Sequence, residues 1–144
     1  MPRHQFFLLL SSAVLLSAAA LSACGKSEDN AVYFRVSDGD PKDTFVIRLT
    51  DPNKIATARA IVAGTKKGPV HVAGVVIAEA ESYNKPWHFH LDSPSIVFFE
   101  MSVEVCDTKT SYVEDHLKEV GGAFLPKYYW CPWGSKIEAE IPAP

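Results

Sequence analysis

Trp87–Cys106, WHFHLDSPSIVFFEMSVEVC, reads as two strands joined by a turn. In its first half Trp87, Phe89 and Leu91 alternate with His88, His90 and Asp92. Side chains of a strand point to opposite faces in turn, so the apolar set shares one face and the polar set the other. Asp92–Ser95 is a turn, and Ile96–Cys106 is predicted to be one long strand. Phe99, Met101, Val103 and Val105 share its better core face, and Phe98, Glu100, Ser102 and Glu104 share the opposite one. A slip of one residue in the pairing would exchange the faces. Trp87, Phe89 and Leu91 belong beside the Phe99 face, because each contributes roughly 1.5–3 kcal/mol when fully buried. Burying unpaired imidazoles would cost free energy. The histidines are therefore expected to face outward, near Phe98 and Glu100.

Outward from this hairpin, Val32–Val36 and Thr44–Leu49 read as strands around the turn cluster SDGDPKD. Asp51-Pro52 opens a helix, with Asp as N-cap and Pro at the first helical position. Ile55, Ala58 and Val62 recur at helical spacing, and Gly64 closes the helix. Val70–Ala78 is an apolar strand. Ser111-x-x-Glu114 has the form of a capping box, followed by the stripe Val113, Leu117, Val120 and the stop Gly121-Gly122. A last strand is placed near Lys136–Ile141. The order β-β-α-β-β-β-α-β predicts an α+β fold, a mostly antiparallel sheet with two helices packed on one face. A ferredoxin-like split βαβ core is the expected layout.

The chain opens MPRHQFFLLLSSAVLLSAAALSAC. Arg3 precedes an apolar run of 16 residues, Phe6–Leu21, which is the layout of an export signal. The run is short for a spanning helix, which needs roughly 20 residues. Leu21-Ser22-Ala23-Cys24 has the pattern of a bacterial lipoprotein box: a branched apolar residue, two small residues, then the cysteine that takes the lipid. The expected organisation is a lipoprotein signal peptide over residues 1–23, a flexible tether over 24–30, and a single α+β domain over 31–144. Lipidation at Cys24, with palmitate among the acyl chains, would anchor the protein to the membrane on the extracytoplasmic side of the cell envelope. Gly25 after the cysteine favours the outer membrane where the organism has one. From Cys24 onward, 13 Lys and Arg face 17 Asp and Glu, a net −4, with no basic run beyond Lys66-Lys67. That excludes an electrostatic footprint for nucleic acid.

Export leaves Cys106 and Cys131 in an oxidising compartment, where two thiols usually pair. The competing reading is a reactive Cys106 with His116 as its base. For chemistry on the hairpin, His88, His90 and Glu100 form a candidate metal set suited to zinc or copper. His88 and His90 stand about 7 Å apart along a strand rising roughly 3.3 Å per residue, so their side chains would have to lean together. Read blandly, this is an exposed face whose imidazoles make ordinary hydrogen bonds. His71 lies on another strand. A second candidate surface is aromatic: Tyr128, Tyr129, Trp130 and Trp133, with Tyr83 apart from them in sequence. Tyr and Trp carry an apolar body and a polar tip, which suits recognition. The same residues would equally cover the open end of a small core. No HExxH, nucleophile elbow, phosphate-cradling loop or dinucleotide fingerprint appears.

DPNKIATARAIVAG, HVAGVVIAEAESYNKPWHFHLD, SIVFFEMSVEVCD, YVEDHLKEVGGAFLP and WCPWGSKI follow one another between about Thr44 and Glu140. Together they resemble a family of small secreted or lipid-anchored proteins, the one named for the N-terminal domain of a slime-mould calmodulin-binding protein. The resemblance implies neither a catalytic motif nor a metal set. Calmodulin is not an expected partner: there is no basic amphipathic helix, and Tyr112–Val120 carries Glu114, Asp115 and Glu119.

The sequence thus predicts a non-enzymatic, lipid-anchored binding module with no cofactor. Its expected contact surfaces are the outward His88/His90 strand face and the Tyr128–Trp133 loop. A zinc- or copper-binding lipoprotein and an inhibitor-like module facing an exported enzyme are the alternatives.

Overall fold

The computed structural model describes residues 30–102 and 105–144; the leader, Cys24 and Val103-Glu104 lie outside the described residues. Strand β1 (Val32–Asp38) alternates cleanly, with Phe34 and Val36 buried and Arg35 exposed. It pairs antiparallel with β2 (Thr44–Leu49) in a register that sets Phe34 opposite Ile47 and Val36 opposite Phe45. On its other side β1 pairs antiparallel with β9 (Ser135–Ile141), giving a three-stranded sheet in the order β2-β1-β9. The β1–β9 register shifts between Arg35 and Val36, and the Arg35 guanidinium there reaches Glu138 at 3.0 Å.

Helix α1 (Pro52–Val62) begins as its sequence dictates. The Asp51 carboxylate accepts from the Asn53 N–H at 2.7 Å and the Lys54 N–H at 3.4 Å. Ile55 and Ala58 enter the core, Val62 is 40% exposed, and Gly64 at φ +68° follows the end. Arg59 grips Glu140 of β9 through two hydrogen bonds of 2.7 and 2.8 Å.

Strand β3 (His71–Ile77) is the hub of the second group. It pairs antiparallel with β4 (His90–Leu91), β5 (Val97–Phe99) and β8 (Tyr129–Trp130). Its residues Val72, Ala73 and Val76 are all buried, the pattern of a strand covered on both faces. Between β4 and β5 the chain makes a 3-10 turn, Ser93–Ser95. There the Asp92 N–H donates to Val75 C=O at 2.9 Å and the Ser95 hydroxyl accepts from the Val75 N–H at 2.8 Å. Val75 thus keeps its hydrogen bonds where the ladder is interrupted. A short parallel pair, β6 (Val120–Gly121) and β7 (Phe124–Pro126), completes the strands. Gly121 sits at φ +91° under the Tyr128 ring, where a Cβ would collide with it.

The class is α+β and the sheets are mostly antiparallel, as the sequence predicts. The split βαβ layout is not what forms. The strands divide between the β1 sheet and the β3 group, and side chains from both share one core. Helix α2 (Thr110–Asp115) has six residues, too few to cover a sheet face, so strands supply the cover.

The predicted long strand Ile96–Cys106 is also cut short. β5 ends at Phe99, whose partner His71 is the first residue of β3. Upstream of His71 the chain passes through Pro69, which has no N–H to extend a ladder. Met101 (81% exposed) and Val105 (92%) consequently leave the core face assigned to them. The chain instead delivers Cys106 to Cys131, and the two form a disulfide with Cα atoms 5.1 Å apart.

Helix α2 does not use the predicted capping box. Its first N–H, that of Thr110, is bound by the Asp38 carboxylate of β1 at 2.8 Å. Ser111 turns to Asp43 and Glu114 to His88. Beyond α2 a 3-10 turn, Leu117–Glu119, carries Val120 into the core.

Candidate functional site

The alternation in WHFHLD survives in the fold. Phe89 and Leu91 are buried, Trp87 is half-buried, and His88 is exposed. Only His90 and Leu91 are in a strand, because the rest is held by side chains. The Asn84 amide accepts from the Val46 N–H at 2.7 Å and donates to Phe89 C=O at 2.7 Å. The Trp87 indole N–H donates to Thr44 C=O at 2.7 Å. Both bonds tie the stretch to β2.

The candidate metal set is not assembled. His88 Nδ1 lies 2.5 Å from Glu114, His90 Nδ1 lies 2.8 Å from the Glu79 carbonyl, and Glu100 faces Lys66 at 3.5 Å. Among the described residues no group of three or more His, Cys, Asp or Glu is placed to hold a metal ion. The strand that would have aligned Glu100 with the histidines ends one residue before it.

The aromatic loop splits. Trp130 is fully buried, its ring centroid 4.9 Å from Phe45 and 5.7 Å from Phe89, and its N–H donates to Thr108 C=O at 3.0 Å. It is a core residue and presents nothing to a partner. Tyr129 is half-buried; Tyr128 (50% exposed) and Trp133 (42%) remain at the surface. The thiol reading of Cys106 falls with the disulfide. His116 instead stacks on Tyr112 at 3.9 Å, its Nδ1 2.9 Å from the Tyr112 carbonyl.

What the fold does build around His90 is a cleft of about 380 Å³. Tyr33 and Arg48, cross-strand partners on β1 and β2, line it together with Tyr83, His90 and Asp92. The rings of Tyr33 and Tyr83 lie 5.2 Å apart, and Tyr83 meets His90 edge-on at 6.3 Å. A carbonyl only accepts, so His90 Nδ1 carries a proton toward Glu79 and the neutral ring keeps Nε2 as an acceptor. Burial, and then the Glu81 carboxylate, push the Tyr83 hydroxyl up to about 12, against the opposing pull of Arg48. It stays protonated at neutral pH, both donor and acceptor. A second cleft of about 550 Å³ adjoins the first, lined by Lys85, Trp87 and His88. Glu81 and Ser82 line both.

Tyr33 and Arg48 were visible in the sequence only as the outward positions of strands whose inward positions are Phe34, Ile47 and Leu49. The two-residue period marks them, but nothing local says that β1, β2 and the His90 strand adjoin.

A family model described as the BP-74 N-terminal domain matches residues 30–144. The chain belongs to this family. The match takes in every element described above, including the strands that carry Tyr33, Arg48 and His90. No curated protein and no solved structure matches the chain.

Proposed function

We propose that the chain is a lipid-anchored binding module of the cell envelope that acts without catalysis. It holds its ligand in the cleft between Tyr33, Arg48, Tyr83 and His90. The observation that carries this reading is the convergence itself: two tyrosines, a guanidinium, an imidazole acceptor and the Asp92 carboxylate line one recess. About 380 Å³ lies within the roughly 300–1,000 Å³ usual for small-molecule sites. The four described histidines support binding over catalysis, since each holds Nδ1 against a carbonyl or a carboxylate and not against a hydroxyl nucleophile. The anchor rests on Leu21-Ser22-Ala23-Cys24.

The test is a screen of small polar compounds against the purified full chain, read by amide NMR shifts. Shifts confined to Tyr33, Arg48, Tyr83, His90 and Asp92 support the reading. A library that shifts nothing, or shifts only Tyr128 and Trp133, removes it.

A further inference from the structure

The cleft beside His90 does not end at its own rim. Glu81 and Ser82 form a ridge whose far side is the second cleft, so a ligand filling the first has a continuous path into the next. The two differ in size, about 380 and 550 Å³, but share a chemistry: each offers an aromatic ring together with charged groups of both signs. In the first, Tyr33 and Tyr83 accompany Arg48 and Asp92; in the second, Trp87 accompanies Lys85 and Glu81.

Resting on the binding reading above, we propose that the paired clefts bind an uncharged oligosaccharide, one portion against Tyr33 and Tyr83 and the next against Trp87. Three considerations select this class. An anion would face Asp92 and Glu81, and a cation would face Arg48 and Lys85, so neither sign of net charge is favoured. An apolar ligand would strip water from Arg48 and Asp92 without replacing their hydrogen bonds. A sugar answers both demands: its C–H faces pack on aromatic rings, while its hydroxyls donate to Asp92 and His90 Nε2 and accept from Arg48. The Trp87 ring is already oriented, because its indole N–H is committed to Thr44 C=O at 2.7 Å. The two-cleft layout further selects a chain of sugars over a single unit, because one unit would leave half the aromatic surface unused.

The experiment titrates the full chain with mono-, di- and tetrasaccharides of glucose, mannose and N-acetylglucosamine, followed by amide NMR. In at least one series the tetrasaccharide is expected to bind about tenfold more tightly than the disaccharide, a stacking contribution of ordinary size. Trp87→Ala should erase that gain and leave the disaccharide unaffected, while Trp87→Phe, which keeps a ring, should retain most of it. Asp92→Asn, which preserves side-chain volume, should weaken both. Equal affinity for di- and tetrasaccharide would overturn the two-cleft part. If no saccharide binds but glutamate, putrescine, phosphate or an uncharged peptide shifts Tyr33, Arg48 and His90, the sugar class is wrong and the cleft reading stands. If none of these probes shifts the cleft, both fall.

Discussion

Asp38 and Thr110 are 72 residues apart in sequence, and one buried carboxylate oxygen joins them, accepting from the Thr110 N–H at 2.8 Å and its hydroxyl at 3.1 Å. Asp38 is the last residue of β1 and Thr110 the first of α2, so this contact fixes where the second helix starts. Burial raises the Asp38 carboxyl above its ordinary 3.8, against the opposing Thr110 hydrogen bonds and Lys109 charge. The folded state therefore holds this proton more tightly than the unfolded chain. Stability from this group falls as pH rises from 3.8 through the folded pKa, and it returns on acidification. Urea unfolding of the wild type and Asp38→Asn between about pH 3.5 and 7 checks this. The wild type should lose stability relative to the variant as pH rises; the opposite trend would contradict the assigned direction.

Asn84 is 1% exposed and serves two strangers at once, the Val46 N–H and the Phe89 carbonyl. Asn84→Leu leaves both buried groups unpaired, at about 1–3 kcal/mol each. The expected loss in urea unfolding is therefore about 2–5 kcal/mol. Asn84→Asp keeps the acceptor for Val46 but sets a carboxylate oxygen against Phe89 C=O, so it should fare no better. A loss under about 1 kcal/mol in both would show that the stretch is held by its strand alone.

The strands β1, β2 and β9 and the helix α1 were legible in the sequence because their signals are local: alternation for the strands, and Asp51-Pro52 with the 3.6-residue period for the helix. The start of α2 was not, because its cap comes from Asp38 and not from Ser111. Ile96–Cys106 misled for a related reason. Its alternation is real, but a strand lasts only as long as its partner, and β3 begins at His71. The site follows the same division. The outward placement of His88 and the burial of Phe89 were readable, whereas the gathering of Tyr33, Arg48, Tyr83 and His90 depends on which strands adjoin.

The two tryptophans of the WCPW stretch look alike in sequence and should behave differently. Trp130 fills the core between Phe45 and Phe89, and its truncation to alanine should cost about 3–5 kcal/mol. Trp133 is 42% exposed, and Trp133→Ala should cost less than about 1 kcal/mol. Thermal unfolding of the two variants separates them. Equal losses would mean that the ring assigned to the core is not in it.

Cys106 and Cys131 are 3% and 0% exposed, so their disulfide is shielded from reductant in the folded protein. The bond spans a sequence separation of 25 residues, for which constraint of the unfolded chain predicts about 3 kcal/mol. The native mass should show both cysteines oxidised, with reduction becoming fast only in denaturant. Cys106→Ser with Cys131→Ser should lower the melting temperature. An unchanged melting temperature would mean that the bridge is incidental to stability.

The last prediction concerns the N-terminus. If Cys24 carries acyl chains, each buried CH₂ contributes about 0.8 kcal/mol to membrane attachment, and stable anchoring takes more than one chain. Cells fed labelled palmitate should transfer label to the wild-type protein and none to Cys24→Ser. The wild-type chain should begin at Cys24, with residues 1–23 removed, while the variant should keep its leader because the lipid is added before the cut. Label on both proteins, or on neither, would move the attachment elsewhere or remove it, and the cleft would then have to be placed in a different compartment.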